Sequence, residues 1–492
     1  MTKTALHIIR KQVLDLELPT ERDAFQLQKR MSRLYQSEVL PVLSDKLDAL
    51  GLNEHVLRIQ HLEIDLGKFQ LERLDKDFAA ICVAAIEKQL KEKLAHYLLQ
   101  APIEEEQAFF TSKDFSGNSD IATPIDHSLL QNYIENNITF NESSDAHEQI
   151  LPVATASLTH FFYFLQTGTL PWNARHVSLA SLETIVLELT AKQPTSILQL
   201  FIQVIKNQPT SLQRLVRQCS SEWLEQLVSQ FLQMPVSIIK NLVKQQIKLQ
   251  NKTVTPLFLQ TIYQAIFTYL TTAENPTIDG VQRAVASVNI VESPAAAIQK
   301  ETVKHKVILH PKENITSKTT TDPLPDNALF IDNAGIILLA PFLPILLETV
   351  TFTMGGQFLD RTTQERAIHL LQYIITGEEN TAEHLLTLHK ILCNLPVQEP
   401  IQRFVPLTES EKEEADHLLQ VAIEHWGALG NTSPNGLREG FLQRTGKLTY
   451  QADKWLLQVE HKAIDILLDR LPWSYNIIKL PWMQTPIYTQ WV

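Results

Sequence analysis

The sequence predicts a mainly α protein with a small N-terminal α+β module, a multi-domain helical chain joined by flexible linkers. Three observations predict it. The 492 residues hold only 14 glycines against 24 prolines, which disfavours a turn-rich all-β architecture and suits helices punctuated by proline. Apolar residues recur at spacings of three and four over most of the chain, the signature of amphipathic helices. Two polar, aperiodic stretches interrupt that pattern and read as linkers. The length implies two to four domains.

Residues 1–100 read as a strand-helix-strand module followed by a long helix. Leu14, Leu16 and Leu18 alternate with Asp15 and Glu17, the period-2 pattern of a half-buried strand. Pro19 ends it, and Thr20 is placed to cap a helix carrying Ala24, Leu27, Met31 and Leu34 on one face. Pro41 starts or kinks a second helical piece, and Gly51 suits its C′ position. Leu62, Ile64 and Leu66 alternate with Glu63 and Asp65, giving a second strand with a bulge near Gln60 and His61. Residues 71–99 form one amphipathic helix through Leu74, Phe78, Ile81, Ala85, Leu90 and Leu94.

Residues 101–150 are a polar linker with one short helix around Leu129 to Ile134. Residues 151–270 form a helical middle domain whose pieces are separated by Pro171, Pro194, Pro209, Pro235 and Pro256. Pro194-Thr195-Ser196 recurs as Pro209-Thr210-Ser211, each with a hydroxyl near a helix start. This is either a short helical repeat or two helices that begin alike. Residues 271–327, Thr-rich from Thr316 to Thr321, are a second linker. Residues 328–492 form a C-terminal helical, Trp-rich docking domain. It has an apolar opening, a turn at Gly355-Gly356, and helices around 361–376, 381–394, 409–428, 434–444 and 454–470. The final segment from Pro486 reads as an edge strand able to pair with a partner.

Composition bounds function. A formal net charge of −12 argues against nonspecific nucleic-acid binding, which needs a basic face to release counterions. Cys82, Cys219 and Cys393 are odd in number and far apart, so they imply no disulfide framework. The N-terminus lacks an apolar signal core. The longest apolar run, Ile336 to Leu347, is too short for a bilayer and carries Pro341 and Pro344. These features place folding in a bacterial-type cytoplasm, where Asn-X-Ser/Thr triplets carry no meaning for glycosylation.

No motif marks catalysis, so the sequence predicts no enzyme, no cofactor and no metal site. Gly440 to Lys447 resembles a phosphate loop only at first sight. Five residues separate its glycines, and Leu448 stands where a magnesium-binding hydroxyl belongs. Gly446 reads instead as a helix C-cap with Lys447 beside it. His389 and Cys393 lie at i, i+4, but a structural zinc needs four ligands. A packed cysteine and a capping or solvated histidine fit better. The pairs Pro171-Trp172, Pro472-Trp473 and Pro481-Trp482 hold indoles on stiff backbone. Trp172, Trp473, Trp482 and the C-terminal Trp491 are therefore candidate partner-binding residues, with closure of the domain's own core as the alternative.

The order of words from Asn333 to Trp491 resembles the tape measure proteins of extracellular, phage-tail-like contractile injection systems. It includes Asn333-Ala334-Gly335-Ile336-Ile337, Glu365-Arg366-Ala367-Ile368-His369, Glu424-His425-Trp426, Leu471-Pro472-Trp473 and Leu480-Pro481-Trp482. Leu62 to Gly67 and Phe164 to Trp172 are similar to further family phrases. The resemblance implies a non-enzymatic assembly protein that sets the length of the inner tube. Its implied partners are inner-tube, baseplate hub or cap proteins, with three or six copies fitting a symmetric tube. It implies cytoplasmic assembly and a place within the inner tube. A straight helix over residues 68–325 would reach roughly 390 Å, but interior prolines at about 3 kcal/mol each oppose one. No sustained heptad supports a coiled-coil rod. Length would then be measured by folded beads on two tethers, or by stretching those tethers. Two rivals are an adaptor of baseplate or cap that measures nothing, and an enzymatic cargo effector.

Overall fold

The computed structural model describes residues 7, 9, 12–17, 24–48, 55–59, 61–70, 73–100, 148–174, 176–249, 256–288 and 328–491. The chain is mainly helical with a small sheet region, and it divides into two compact units, residues 1–159 and 160–492.

In the first unit, α1 (Ala24–Leu34) runs through a π turn (Tyr35–Val39) into α2 (Leu40–Asp48). The widened turn sits just ahead of Pro41, and the Leu40 N–H reaches back five residues to the Tyr35 carbonyl. A π turn relieves the clash and lost donor that a proline imposes on an α-helix, and Pro41 stands second in α2, at the start of the second helical piece as expected. Leu27, Met31, Leu34, Tyr35 and Val39 pack against Leu74, Phe78, Cys82 and Val83 of α3 (Leu74–Gln100). Cys82, rather than Ile81, takes the buried place; Ile81 is 42% exposed.

The N-terminal strands differ from expectation. Residues 12–17 are not in a strand, and Leu18 and Gly51 lie outside the described residues. The strand is β1 (His55–Ile59), one step before the alternating run. Leu62, Ile64 and Leu66 are half-buried between exposed neighbours but carry no strand pairing. β1 pairs antiparallel with β2 (Glu148–Pro152), from Val56↔Leu151 to Ile59↔Glu148. The first expected linker therefore ends in a strand, and its expected helix at 129–134 falls outside the described residues. Pairing across so long a separation leaves no local signal.

The second unit has two layers. The first is a bundle: α4 (Val153–Thr167), α5 (Leu179–Lys192), α6 (Pro194–Asn207), α7 (Thr210–Gln218), α8 (Ser221–Phe231), α9 (Val236–Leu249), α10 (Pro256–Thr272) and α11 (Ile278–Ala286). The prolines do punctuate it, Pro194 and Pro256 opening α6 and α10. Neither repeated Thr-Ser pair caps its helix, because both lie inside the first turn. α5 packs on α6 and α8, and α10 on α6 and α7. That is a bundle and not a nearest-neighbour stack, so the two helices merely begin alike. Phe161, Phe162, Phe201 and Phe231 interlock edge to face at its centre, with Trp223 tilted against Phe161. α11, capped by Thr277 and burying Val281 and Val285, lies within the second expected linker.

The C-terminal layer, residues 328–491, surrounds a five-stranded sheet of order β3-β6-β7-β9-β8. Its strands are β3 (Leu329–Ile331), β6 (Gly446–Gln451), β7 (Lys454–Val459), β8 (Ile477–Ile478) and β9 (Ile487–Trp491). Neighbours are antiparallel except β7 and β9. The helix expected over 454–470 is thus a strand followed by a 3-10 segment, Ala463–Arg470. β6 and β7 turn through Ala452 and Asp453, both with positive φ. This is a two-residue hairpin turn without the usual glycine signal. Gly446 opens β6 and is no helix cap; a side chain there would press on Ala334. The C-terminal segment is not an edge strand, since β9 lies between β7 and β8.

Around the sheet stand the 3-10 segment Ala334–Phe342, α12 (Leu343–Thr349), α13 (Arg361–Thr376), α14 (Thr387–Leu392), α15 (Glu409–His425) and α16 (Pro434–Leu437). The predicted turn at Gly355-Gly356, with φ of 59° and 76°, joins two short strands, β4 (Thr353–Met354) and β5 (Gln357–Phe358). Among the described residues no helix is long and apolar enough to cross a membrane.

Candidate functional site

The most heavily built polar site lies on the seam between the two layers of the second unit. α7 presents Arg214, Arg217 and Gln218, which are one turn apart and share a face. Arg214 and Gln218 are fully buried. The Arg214 Nε lies 3.1 Å from both carboxylate oxygens of Glu383, which is also fully buried. Lys390 reaches the same carboxylate at 2.5 Å. Two cations on one anion give net positive charge in a dry place. Burial pulls the Lys390 ammonium down to about 8, with Glu383 offsetting only part of that.

Backbone oxygen supplies the rest of the compensation. Six consecutive carbonyls, Val397 to Gln402, each accept a side-chain N–H. Lys390 donates to Val397 and Glu399, both at 2.9 Å. Arg214 donates to Gln398 and, on its own layer, to Leu165. Arg217 and Arg361 share Pro400 at 2.7 and 3.2 Å. Gln218 takes Ile401 at 3.0 Å, and His369 Nε2 donates to Gln402 at 2.7 Å. The loop thus forms a strap whose carbonyl lone pairs neutralise cations from both layers. Pro396 precedes it and Pro400 lies within it, and both stiffen the backbone.

Further contacts fix the register. The Gln218 side chain also accepts from the Glu383 N–H at 2.9 Å. Arg403 returns to the helical layer, pairing with Glu183 at 3.2 Å and donating to the Gln218 carbonyl at 2.9 Å. Gln402 donates to Gln260 at 2.8 Å. Gly168 closes the site. It caps α4 with φ of 78°, and any Cβ there would overlap the Glu383 carboxylate and sit 3.1–3.2 Å from Arg214 nitrogens. Glycine meets both demands, positive φ and close approach.

The residues singled out in the sequence have other surroundings. Trp482 is 5% exposed and donates to the Leu392 carbonyl at 2.7 Å. Trp473 donates to Leu338 at 2.8 Å and meets Phe342 edge to face. Trp491 lies on β9 with the Arg444 guanidinium 5.5 Å from its ring. These three pack against the layer's own core. Trp172 is half-buried and helps wall a crevice with Leu329, Asp332 and His384. The structure does not bring the four indoles to one place in the core.

His389 and Cys393 are both fully buried. His389 Nδ1 is 3.0 Å from the Asn333 side-chain amide, which also donates to the Leu385 carbonyl. That amide being a donor, Nδ1 is the acceptor. Burial holds His389 down to about 3 and His384 to about 4. Among the described residues no group of three metal-ligating side chains converges.

Sequence reasoning missed Arg214, Glu383 and Lys390. One signal was present: Lys390 is the only charge between Leu385 and Cys393, and a lysine amid such a run must find a partner. Arg214 gave none, since its helix reads as having an ordinary basic face.

Chemically the site holds two folded layers in register. A family model described as contractile injection system tape measure protein matches residues 6–491. The chain belongs to that family. Comparison with curated proteins and with solved structures finds no match.

Proposed function

We propose that this chain sets the length of the inner tube of a contractile injection particle and is not an enzyme. The observation that carries the reading is the family match across nearly the whole chain. Its folded units give it bodies with which to engage the baseplate hub, tube or cap, and the stretch of sequence between Gln100 and Glu148 is the length of chain to vary. Extended chain spans at most roughly 3.5 Å per residue. Assembly is cytoplasmic in this reading, the protein then occupies the tube, and three or six copies match tube symmetry. Of the four tryptophans, Trp172 is the one we assign to a partner, because its ring borders a crevice.

The test is tube length by electron microscopy with residues 104–146 deleted in one strain and duplicated in another. Tubes that shorten and lengthen in step are expected. A second reading, an adaptor of baseplate or cap that measures nothing, is favoured by one observation: the helical and C-terminal layers form a single compact unit. Unchanged tubes in both strains would select it.

A further inference from the structure

We infer that the seam is a releasable joint, at which the C-terminal layer parts from the helical bundle with both folds intact. Three independent features point there.

The first is that the C-terminal layer has an apolar core of its own, although Phe164 of the bundle does meet His384 edge to face across the seam. Every member of the C-terminal hydrophobic cluster, from Ile331 to Ile487, and every partly buried residue packed on it, belongs to residues 329–491. Within the bundle Phe161, Phe162, Phe201, Trp223 and Phe231 pack on one another. The sheet is likewise complete within residues 329–491. A layer with its own core and its own sheet does not need its neighbour in order to fold.

The second is the chemistry of what crosses. Hydrogen bonds spanning the seam run from Arg214, Arg217, Gln218, Arg403, Gln260 and Gln402 to carboxylates, amides and carbonyls. Water can replace each of these on opening, whereas exposed apolar surface could not be so satisfied. Buried ion pairs give back in attraction about what they cost in desolvation. Such a seam fixes register strongly while holding weakly, as transient interfaces do.

The third is connectivity. α11 ends at Ala286 and β3 begins at Leu329. The layers therefore remain joined by chain after the seam opens, and the distance between them grows.

The experiment uses the full chain with a protease site placed between Thr316 and Thr321, cut after purification. Size exclusion and near-ultraviolet circular dichroism are read at 0.1 M and 1 M NaCl, for the wild-type seam and for Arg217→Met with Arg403→Met. At 0.1 M salt the cut wild type is expected to stay associated. The double variant, or the wild type at 1 M salt, is expected to separate into two species. Each should keep its near-ultraviolet signal and a cooperative melt, and residues 328–492 should retain theirs. Two results would overturn the joint. One is a cut protein that stays associated in every arm and melts as one. The other is separation accompanied by loss of tertiary signal in either piece. The salt arm on the unmutated seam guards against a variant that fails to fold.

Discussion

Arg214 and Glu383 stand 169 residues apart in the chain and meet as a fully buried pair, with the guanidinium Nε 3.1 Å from each carboxylate oxygen. Removing one partner leaves the other charged and dry. Arg214→Met is expected to destabilise the closed seam by about 3–5 kcal/mol. It also orphans the Leu165 and Gln398 carbonyls. Arg217→Met, which loses a half-exposed side chain's bond to Pro400, is expected to cost about 1 kcal/mol. Urea unfolding followed by near-ultraviolet circular dichroism ranks the two. Equal costs would show that the buried pair is not what fixes the register.

The tryptophans separate packing from docking. Trp482→Ala removes a buried indole and its bond to Leu392, and an expected loss of about 3–5 kcal/mol follows from the cavity. Trp172→Ala, at the edge of its crevice, is expected to change stability by under about 1 kcal/mol and to lower recovery of the protein with assembled particles. Thermal melts and co-sedimentation are measured on both. Full recovery of the Trp172 variant would remove that residue from the partner surface.

Much of the helical architecture was legible in the sequence, because proline and periodicity act locally. Pro194 and Pro256 open helices as expected, α13 falls on 361–376, and Gly355-Gly356 makes its turn. Strands were less legible. β7 was hidden because Trp455, Leu456 and Leu457 form a run that suits helix or strand equally, and its turn uses Ala452-Asp453. β2 owes its existence to a partner nearly a hundred residues away. The seam was the least legible part. Arginine on a short helix and a loop bearing two prolines look like surface, and only tertiary packing places six carbonyls against four cationic and polar side-chain types. The Pro-Trp pairs were read as indoles on stiff backbone, and the sequence alone left open which side of the surface they face.

Acid should unfold the C-terminal layer through its neutral histidines. His389 and His384 are held down to about 3 and about 4, in both cases first by burial. Smaller contributions come from His369 on His389, from Arg403 on His384, and, in the opposite sense, from Asp332 on His384. The unfolded chain takes up protons near 6.5 while the folded one does not, so stability is complete above about pH 6.5 and falls as pH drops toward 4. Between pH 7 and 4.5 each histidine is expected to remove about 2–3 kcal/mol. Lys390, held at about 8, titrates in a separate alkaline window. His389→Asn keeps an acceptor for Asn333 and cannot protonate, so its acid limb should be shallower by one histidine's share. Parallel stability curves for the variant and the parent, measured by urea unfolding from pH 7 to 4.5, would exclude His389 as a source of the acid loss.

Gly168 and Gly377 provide a matched comparison for the seam. Both cap helices with left-handed backbone, at φ of 78° and 73°, and both return an N–H four residues, to Phe164 and Tyr373, at 2.8 and 2.7 Å. Their surroundings differ. A methyl at Gly377 would meet Arg438 atoms at an ordinary 3.7–3.8 Å, whereas at Gly168 it would overlap the Glu383 carboxylate. Gly377→Ala should therefore cost only the backbone term, about 1–2 kcal/mol. Gly168→Ala carries the same term and also forces Glu383 away from Arg214 and Lys390, adding about 1–3 kcal/mol for the disturbed charges. The difference between the two variants isolates the contact between α4 and the ion cluster, with backbone strain cancelled. In urea unfolding Gly168→Ala should be the more damaging by at least 1 kcal/mol. Combining it with Arg214→Met should cost less than the sum, because the second change then acts on a cluster already broken. Strict additivity would mean that Gly168 is held by its backbone alone and that the close approach to Glu383 carries no energy.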